Sequence, residues 1–155
     1  MDWYTLLERP RLRVSSLEIG SVPNTPGLDV WMRDGEVVYL GSTSNLRGRV
    51  RTHLSTSLDL SRSALRRHVG ELLLGIPHSA LRDRVAPPAG AHDVDVVASW
   101  LADCSLGWLE CGSRMEARGT KVELLEMWLP VLQRKASSSM DEADVHKRTR
   151  MPVES

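Results

Sequence analysis

The stretch PGLDVWMRDGEVVYLGSTSNLRGRVRTHL, residues 26–54, decides the fold. Leu28 to Arg33 and Glu36 to Leu40 contain Val, Trp and Tyr, which suit a pleated, half-buried strand, and they bracket Asp34-Gly35. The expectation is a β-hairpin with two possible registers. A two-residue loop sets Val30 opposite Tyr39. A three-residue loop can set Asp29 opposite Tyr39, on the same face. A helix follows Gly41, with Thr43 or Ser44 able to cap it. Leu46, Val50 and Leu54 recur at i, i+4 and i+8 and form its buried stripe, and Arg49 and His53 share a neighbouring face. Gly48 is unfavourable inside a helix and points to a close approach by another group.

On the N-terminal side, residues 1–25 mix Trp3, Tyr4, Leu6 and Leu7 with Pro10 and Pro23. They read as a short helix or turn that packs on the core, then an irregular lead-in. On the C-terminal side, 61–74 reads as a second helix, with Leu65, Val69, Leu72 and Leu73 on one side and Arg62, Arg66 and Arg67 largely on another. Residues 75–90 read mostly as loop, punctuated by Pro77, Pro87, Pro88 and Gly90. Residues 92–103 fit a helix or a strand and turn, and 106–111 a strand. Residues 114–129 give the clearest helix, ended by Pro130. Ala117, Lys121, Leu124, Leu125 and Trp128 share a face of it, while Glu116, Glu123 and Glu126 lie away. Lys121 in the middle of that apolar face either snorkels to the surface or points into a site. The tail, 135–155, is Ser-rich and charged, and is expected to be disordered or a partner-binding extension.

The chain has 155 residues and a 41% hydrophobic fraction, which suits one globular domain with a sizeable core. Its formal charge is zero, so any nucleic-acid surface must be local. From 47 to 68 the charged residues are Arg47, Arg49, Arg51, Arg62, Arg66 and Arg67 against Asp59 alone. Cys104 and Cys111 have no zinc-ligand spacing and, if on one strand, point to opposite faces. No signal peptide or membrane span is evident, so a reducing, cytoplasmic setting is expected.

Pro26-Gly27-Leu28-Asp29, Tyr39-Leu40-Gly41, Asn45-Leu46-Arg47-Gly48-Arg49 and His53 together resemble the GIY-YIG nuclease pattern. In that family one tripeptide lies in the first strand and a second ends the next. An arginine follows eight residues after the second glycine, and a His or Tyr one turn later. Arg49 is eight after Gly41, and His53 four after that. Lys121-Val122-Glu123-Leu124-Leu125 and Pro130-Val131-Leu132-Gln133 resemble the family's later helix and its Pro-to-Asn segment.

The resemblance implies an α/β fold, a small mixed or antiparallel sheet flanked by helices. The GIY-YIG-like domain would span 26–134, with a helical insertion at about 57–103. It also implies metal-dependent hydrolysis of DNA, in which positioning and charge neutralisation dominate. Carried over, Tyr39 is the residue near the nucleophilic water, Arg49 the phosphate contact, and His53 the group orienting water or leaving group. Three positions depart from the pattern. Asp29 stands where the first tyrosine belongs, Lys121 where a metal-binding Glu belongs, and Gln133 where an Asn belongs. A protonated lysine repels Mg²⁺. With the three-residue hairpin register, the paired charge replacement leads to the expectation of a salt bridge between Asp29 and Lys121 in place of tyrosine, metal and Glu.

Four functions are compatible with these residues. The first is a binding protein without cleavage, most plausibly for DNA, using Arg47, Arg49, Arg51, Arg62, Arg66, Arg67 and Gln133, with no cofactor. The second is an enzyme acting on a small molecule through Asp29, Tyr39, Arg49, His53 and Lys121. The third is an active nuclease using Mg²⁺ or Mn²⁺ on Glu126, Glu123 or Asp29. The fourth is a scaffold without a site.

Overall fold

The structure, a computed structural model, describes residues 1–87 and 89–134. The tail expected to be disordered lies outside the described residues. The fold is α/β. Four antiparallel strands, β1 (Arg11–Arg13), β2 (Gly27–Arg33), β3 (Glu36–Thr43) and β4 (Ser105–Glu110), form an open sheet in the order β1-β4-β2-β3. Six α-helices flank it among the described residues: α1 (Trp3–Leu7), α2 (Leu46–His53), α3 (Ala64–Leu74), α4 (His78–Arg82), α5 (Ala91–Ala102) and α6 (Arg114–Met127). None is long and apolar enough to cross a membrane.

The sheet separates two cores because successive strand residues point to opposite faces. Leu28, Val30, Met32 and Leu40 pack with Trp3 and Leu6 of α1 and with Ala117, Leu124 and Trp128 in and just after α6. Trp31 and Tyr39 face the other way, onto Leu46 and Val50 of α2, Leu65 and Val69 of α3, and Val97 and Leu101 of α5. Gly27 has no room for a side chain, since a Cβ there would stand 2.2 Å from the Leu109 carbonyl oxygen.

Several elements differ from the expectation. The lead-in contains β1, which adds a fourth strand alongside β4. It is three residues long and fully exposed, too short and too polar to show an apolar alternation. Residues 92–103 belong to helix α5, whose Val94, Val97 and Leu101 are buried at helical spacing. Residues 75–90, expected to be mostly loop, contain α4. On α3, Leu72 and Leu73 are exposed (53% and 36%), whereas Arg66 is buried. The helix starts at Ala64 with Ser63 as its cap, which rotates its buried stripe onto Leu65, Val69 and Gly70. Asn45 caps α2, rather than Thr43 or Ser44. Its side chain accepts the Gly48 N–H at 3.1 Å, and it is this side chain that approaches Gly48.

Candidate functional site

The hairpin adopts the two-residue turn. Asp34 and Gly35 both have positive φ (52° and 78°), as a tight turn matched to strand twist requires. Arg33 pairs with Glu36 and Met32 with Val37. A bulge then intervenes, and Trp31 pairs with Tyr39 and Asp29 with Gly41. The extra residue is Val38. Neither expected register forms, since Tyr39 faces Trp31 and not Val30 or Asp29, yet the bulge leaves Asp29, Trp31 and Tyr39 on one face.

Asp29 is wholly buried there. The Trp31 indole donates to its Oδ2 at 2.8 Å, and His53 Nε2 lies 3.5 Å from the same oxygen. Its Oδ1 has no hydrogen bond among the described residues, and a Cβ on Gly41 would stand 2.7 Å from it. Gly41 is therefore the residue that makes room for the carboxylate. Burial alone raises the Asp29 carboxyl, but the bond and charge of His53, then Trp31 and Arg49, outweigh it and hold it below the ordinary carboxylate range.

His53, the last residue of α2, is also fully buried. Its ring stands edge-on between Trp31 (5.7 Å) and Tyr39 (5.8 Å). Its Nδ1 lies 2.6 Å from Ser63 Oγ, which already accepts the Arg66 N–H at 3.0 Å. The serine O–H is thereby free to donate to Nδ1, which leaves the imidazole proton on Nε2, facing Asp29. The Ser63–His53–Asp29 order invites comparison with a nucleophile chain. Ser63 is 1% exposed and caps α3, so its hydroxyl is a structural tie.

Tyr39 sits where three helices approach. Burial, then the Asp29 charge, raise its phenol, and Arg49 of α2 and Arg67 of α3 act in the opposite direction. His68 of α3 lies 6.0 Å from the Tyr39 ring and stacks on His78 at 4.1 Å. Lys121, on α6, is half-buried. Burial lowers its ammonium; Asp29 offsets this in part, and Arg49 and Arg118 add to it.

The expected Asp29–Lys121 salt bridge is not formed. The group nearest the Asp29 carboxylate on that side is the His53 ring, with Nε2 at 3.5 Å. The cause is the sheet itself. The Asp29 carboxylate turns toward α2, whereas α6 packs on the alternate strand residues of the opposite face. Lys121 senses the carboxylate at range only.

The remaining arginines divide by what they touch. Arg47 donates to the Val22 and Gly20 carbonyls (2.7 and 3.2 Å), pinning the turn before β2. Arg66 is 2% exposed and donates to the Ser57 and Asp59 carbonyls (2.6 and 3.3 Å). Both therefore brace backbone. Arg67 bonds the Ser61 carbonyl and reaches His78 Nε2 at 3.4 Å. Arg51 and Arg62 are exposed and line, with Arg66 and Asp59, a cleft of about 290 Å³. Gln133 is buried, accepting the Leu40 N–H at 3.0 Å and donating to the Leu40 carbonyl at 2.8 Å. It acts as a one-residue strand partner for edge strand β3.

Trp31, Ser63, His68 and His78 escape sequence reasoning. Only Ser63 leaves a signal, a serine three residues before Arg66 at a helix start. The residues around Tyr39 do not fit a divalent cation. Lys121 is a cation, Glu123 and Glu126 are exposed, and Asp29 is buried against His53 and Trp31. Among the described residues no three His, Cys, Asp or Glu side chains cluster to hold a metal. Compared with known proteins, the chain matches no family model and no curated sequence.

Proposed function

We propose that the chain is a divergent member of the GIY-YIG superfamily that lacks metal-dependent cleavage and uses the basic surface around Tyr39 to bind DNA through its phosphates. One observation carries the reading. Arg49 and Lys121, from helices on different faces of the sheet, come within electrostatic reach of each other, and neither side chain makes a hydrogen bond or ion pair among the described residues. The carboxylate in range of both, Asp29, is held by Trp31 and His53. Two uncommitted cations suit an oxyanion, and the planar fork of Arg49, which acts on the Tyr39 phenol, suits a phosphate.

The hairpin, the Arg49/His53 helix and the later helix bearing Lys121 also follow the order that the resemblance implies. The roles that remain are binding and orientation. Arg49 and Lys121 hold the anion, and Tyr39 presents a neutral hydroxyl whose pKa is kept high by burial. Asp29 and His53 fix the Tyr39 wall from behind.

The test is incubation with plasmid and Mg²⁺ or Mn²⁺, beside salt-dependent retention on DNA. The expected result is retention without cutting, with Arg49→Ala reducing the salt slope by about 1. Cleavage by the unaltered protein overturns the loss of activity. Absence of any DNA retention at low salt overturns the binding role.

A further inference from the structure

A second cluster of arginines lies at the opposite end of the hairpin, outside the Tyr39 surface. Arg11 and Arg13 of β1 and Arg33 at the end of β2 line one cleft of about 700 Å³ with Met32, Asp34 and Asp103. The sheet register brings them together. Arg13 pairs with Ser105 across β1–β4, and Ser105 pairs with Met32 across β4–β2, so Arg13, Ser105 and Met32 form one row, with Arg33 next to Met32 along β2. Arg11 pairs with Gly107, where a Cβ would stand 3.4 Å from Arg11 Cγ. The glycine lets the Arg11 stem lie across the sheet, and its guanidinium reaches the Met32 sulfur at 2.6 Å. A thioether is a weak acceptor for a guanidinium. The Arg33 Cζ lies 5.0 Å from the Trp100 ring centroid, and its buried Nε has no hydrogen-bond partner among the described residues.

Asp103 shows what the cleft can grip. Arg13 lies 3.7 Å from one of its oxygens and Arg33 lies 3.7 Å from the other. Two guanidiniums from two strands thus straddle one carboxylate, at distances too long for charge-assisted hydrogen bonds. Arg33 also meets Asp34 at 3.3 Å, and Arg11 has no carboxylate partner among the described residues.

We propose that this cleft is a binding site for a polyphosphate group, with Asp103 as a loosely held internal competitor. A diphosphate supplies oxygens for all three guanidinium forks, whereas one carboxylate serves two of them poorly. The site is independent of the Tyr39 surface and stands or falls without it.

The experiment titrates the full chain with pyrophosphate, and separately with a nucleoside diphosphate, at constant ionic strength. Trp100 emission is the readout, assigned with Trp100→Phe. Saturable binding is expected for pyrophosphate. Tighter binding of the nucleotide would assign the group to a nucleotide, and equal binding to the free diphosphate; both support the site. Arg11→Ala with Arg13→Ala weakens binding about tenfold or more. Asp103→Asn tightens it about fivefold by removing a like charge. The altered side chains of Arg13 and Asp103 are 61% and 60% exposed, so these variants keep the core intact. Absence of saturation in both the unaltered protein and Asp103→Asn overturns the proposal. So does unchanged affinity in the double arginine variant.

Discussion

His53 Nδ1 and Ser63 Oγ lie 2.6 Å apart, and this contact joins the last residue of α2 to the cap of α3. It links the helix carrying Arg49 to α3, which carries Arg67 and His68. Ser63→Ala removes the cap of Arg66 N–H and leaves a buried imidazole nitrogen unpartnered. The expected loss is about 2–3 kcal/mol in urea unfolding, more than a cap alone gives. A cycle with His53→Phe checks the coupling. If the two losses simply add, the tie is not cooperative.

Gly41 is fixed by Asp29 and not by its backbone. Gly41→Ala drives a Cβ to 2.7 Å from a buried carboxylate that has no exit, and is expected to cost about 2–4 kcal/mol. Adding Asp29→Ala removes the atoms it strikes. The double variant should therefore be less destabilised than the sum of the singles, as measured by thermal or urea denaturation. Strict additivity would show that the clash is relieved elsewhere.

Much of this fold was legible because the signals were local. Asp34-Gly35 specified the turn, and Leu46, Val50 and the Arg49/His53 pair specified α2. What was hidden depends on contacts between distant segments. The bulge at Val38 decides that Asp29 shares a face with Tyr39, and no residue type announces it. Lys121 was correctly marked as out of place on an apolar face. Its expected partner was wrong because sequence spacing does not say which side of the sheet a helix covers. Arg66 read as a surface charge, yet its guanidinium satisfies two loop carbonyls, which only the folded path of 57–59 creates. The cleft of Arg11, Arg13 and Arg33 was invisible for the same reason, since β1 has no apolar pattern.

Gln133 closes the open edge of β3. Gln133→Ala strips partners from both the N–H and the carbonyl of Leu40, in a buried setting, and should destabilise by about 2–3 kcal/mol. Gln133→Glu keeps the acceptor for the Leu40 N–H but sets a carboxylate against the Leu40 carbonyl. Hydrogen exchange at the Leu40 amide reports on both variants. Protection unchanged in Gln133→Ala would mean that another group covers this edge.

His68 gives the stability a pH dependence of defined sign. Burial, then His78, Arg67 and Lys121, lower its imidazole from 6.5 to about 4, with Glu71 acting in the opposite direction. Between those values the folded ring holds fewer protons than the unfolded one. Stability is therefore complete above the unfolded value of 6.5 and falls as pH drops toward 4. The size is about 1–3 kcal/mol. His78 is shifted in the same direction by burial and Arg67 and adds to the slope. Urea unfolding from pH 7 to pH 4 should show the unaltered protein losing stability faster than His68→Gln. NMR of the ring should find His68 neutral at pH 5.5. A midpoint in the ordinary range near 6.5 would mean that the ring is solvated, and that Tyr39 is not walled by a neutral imidazole.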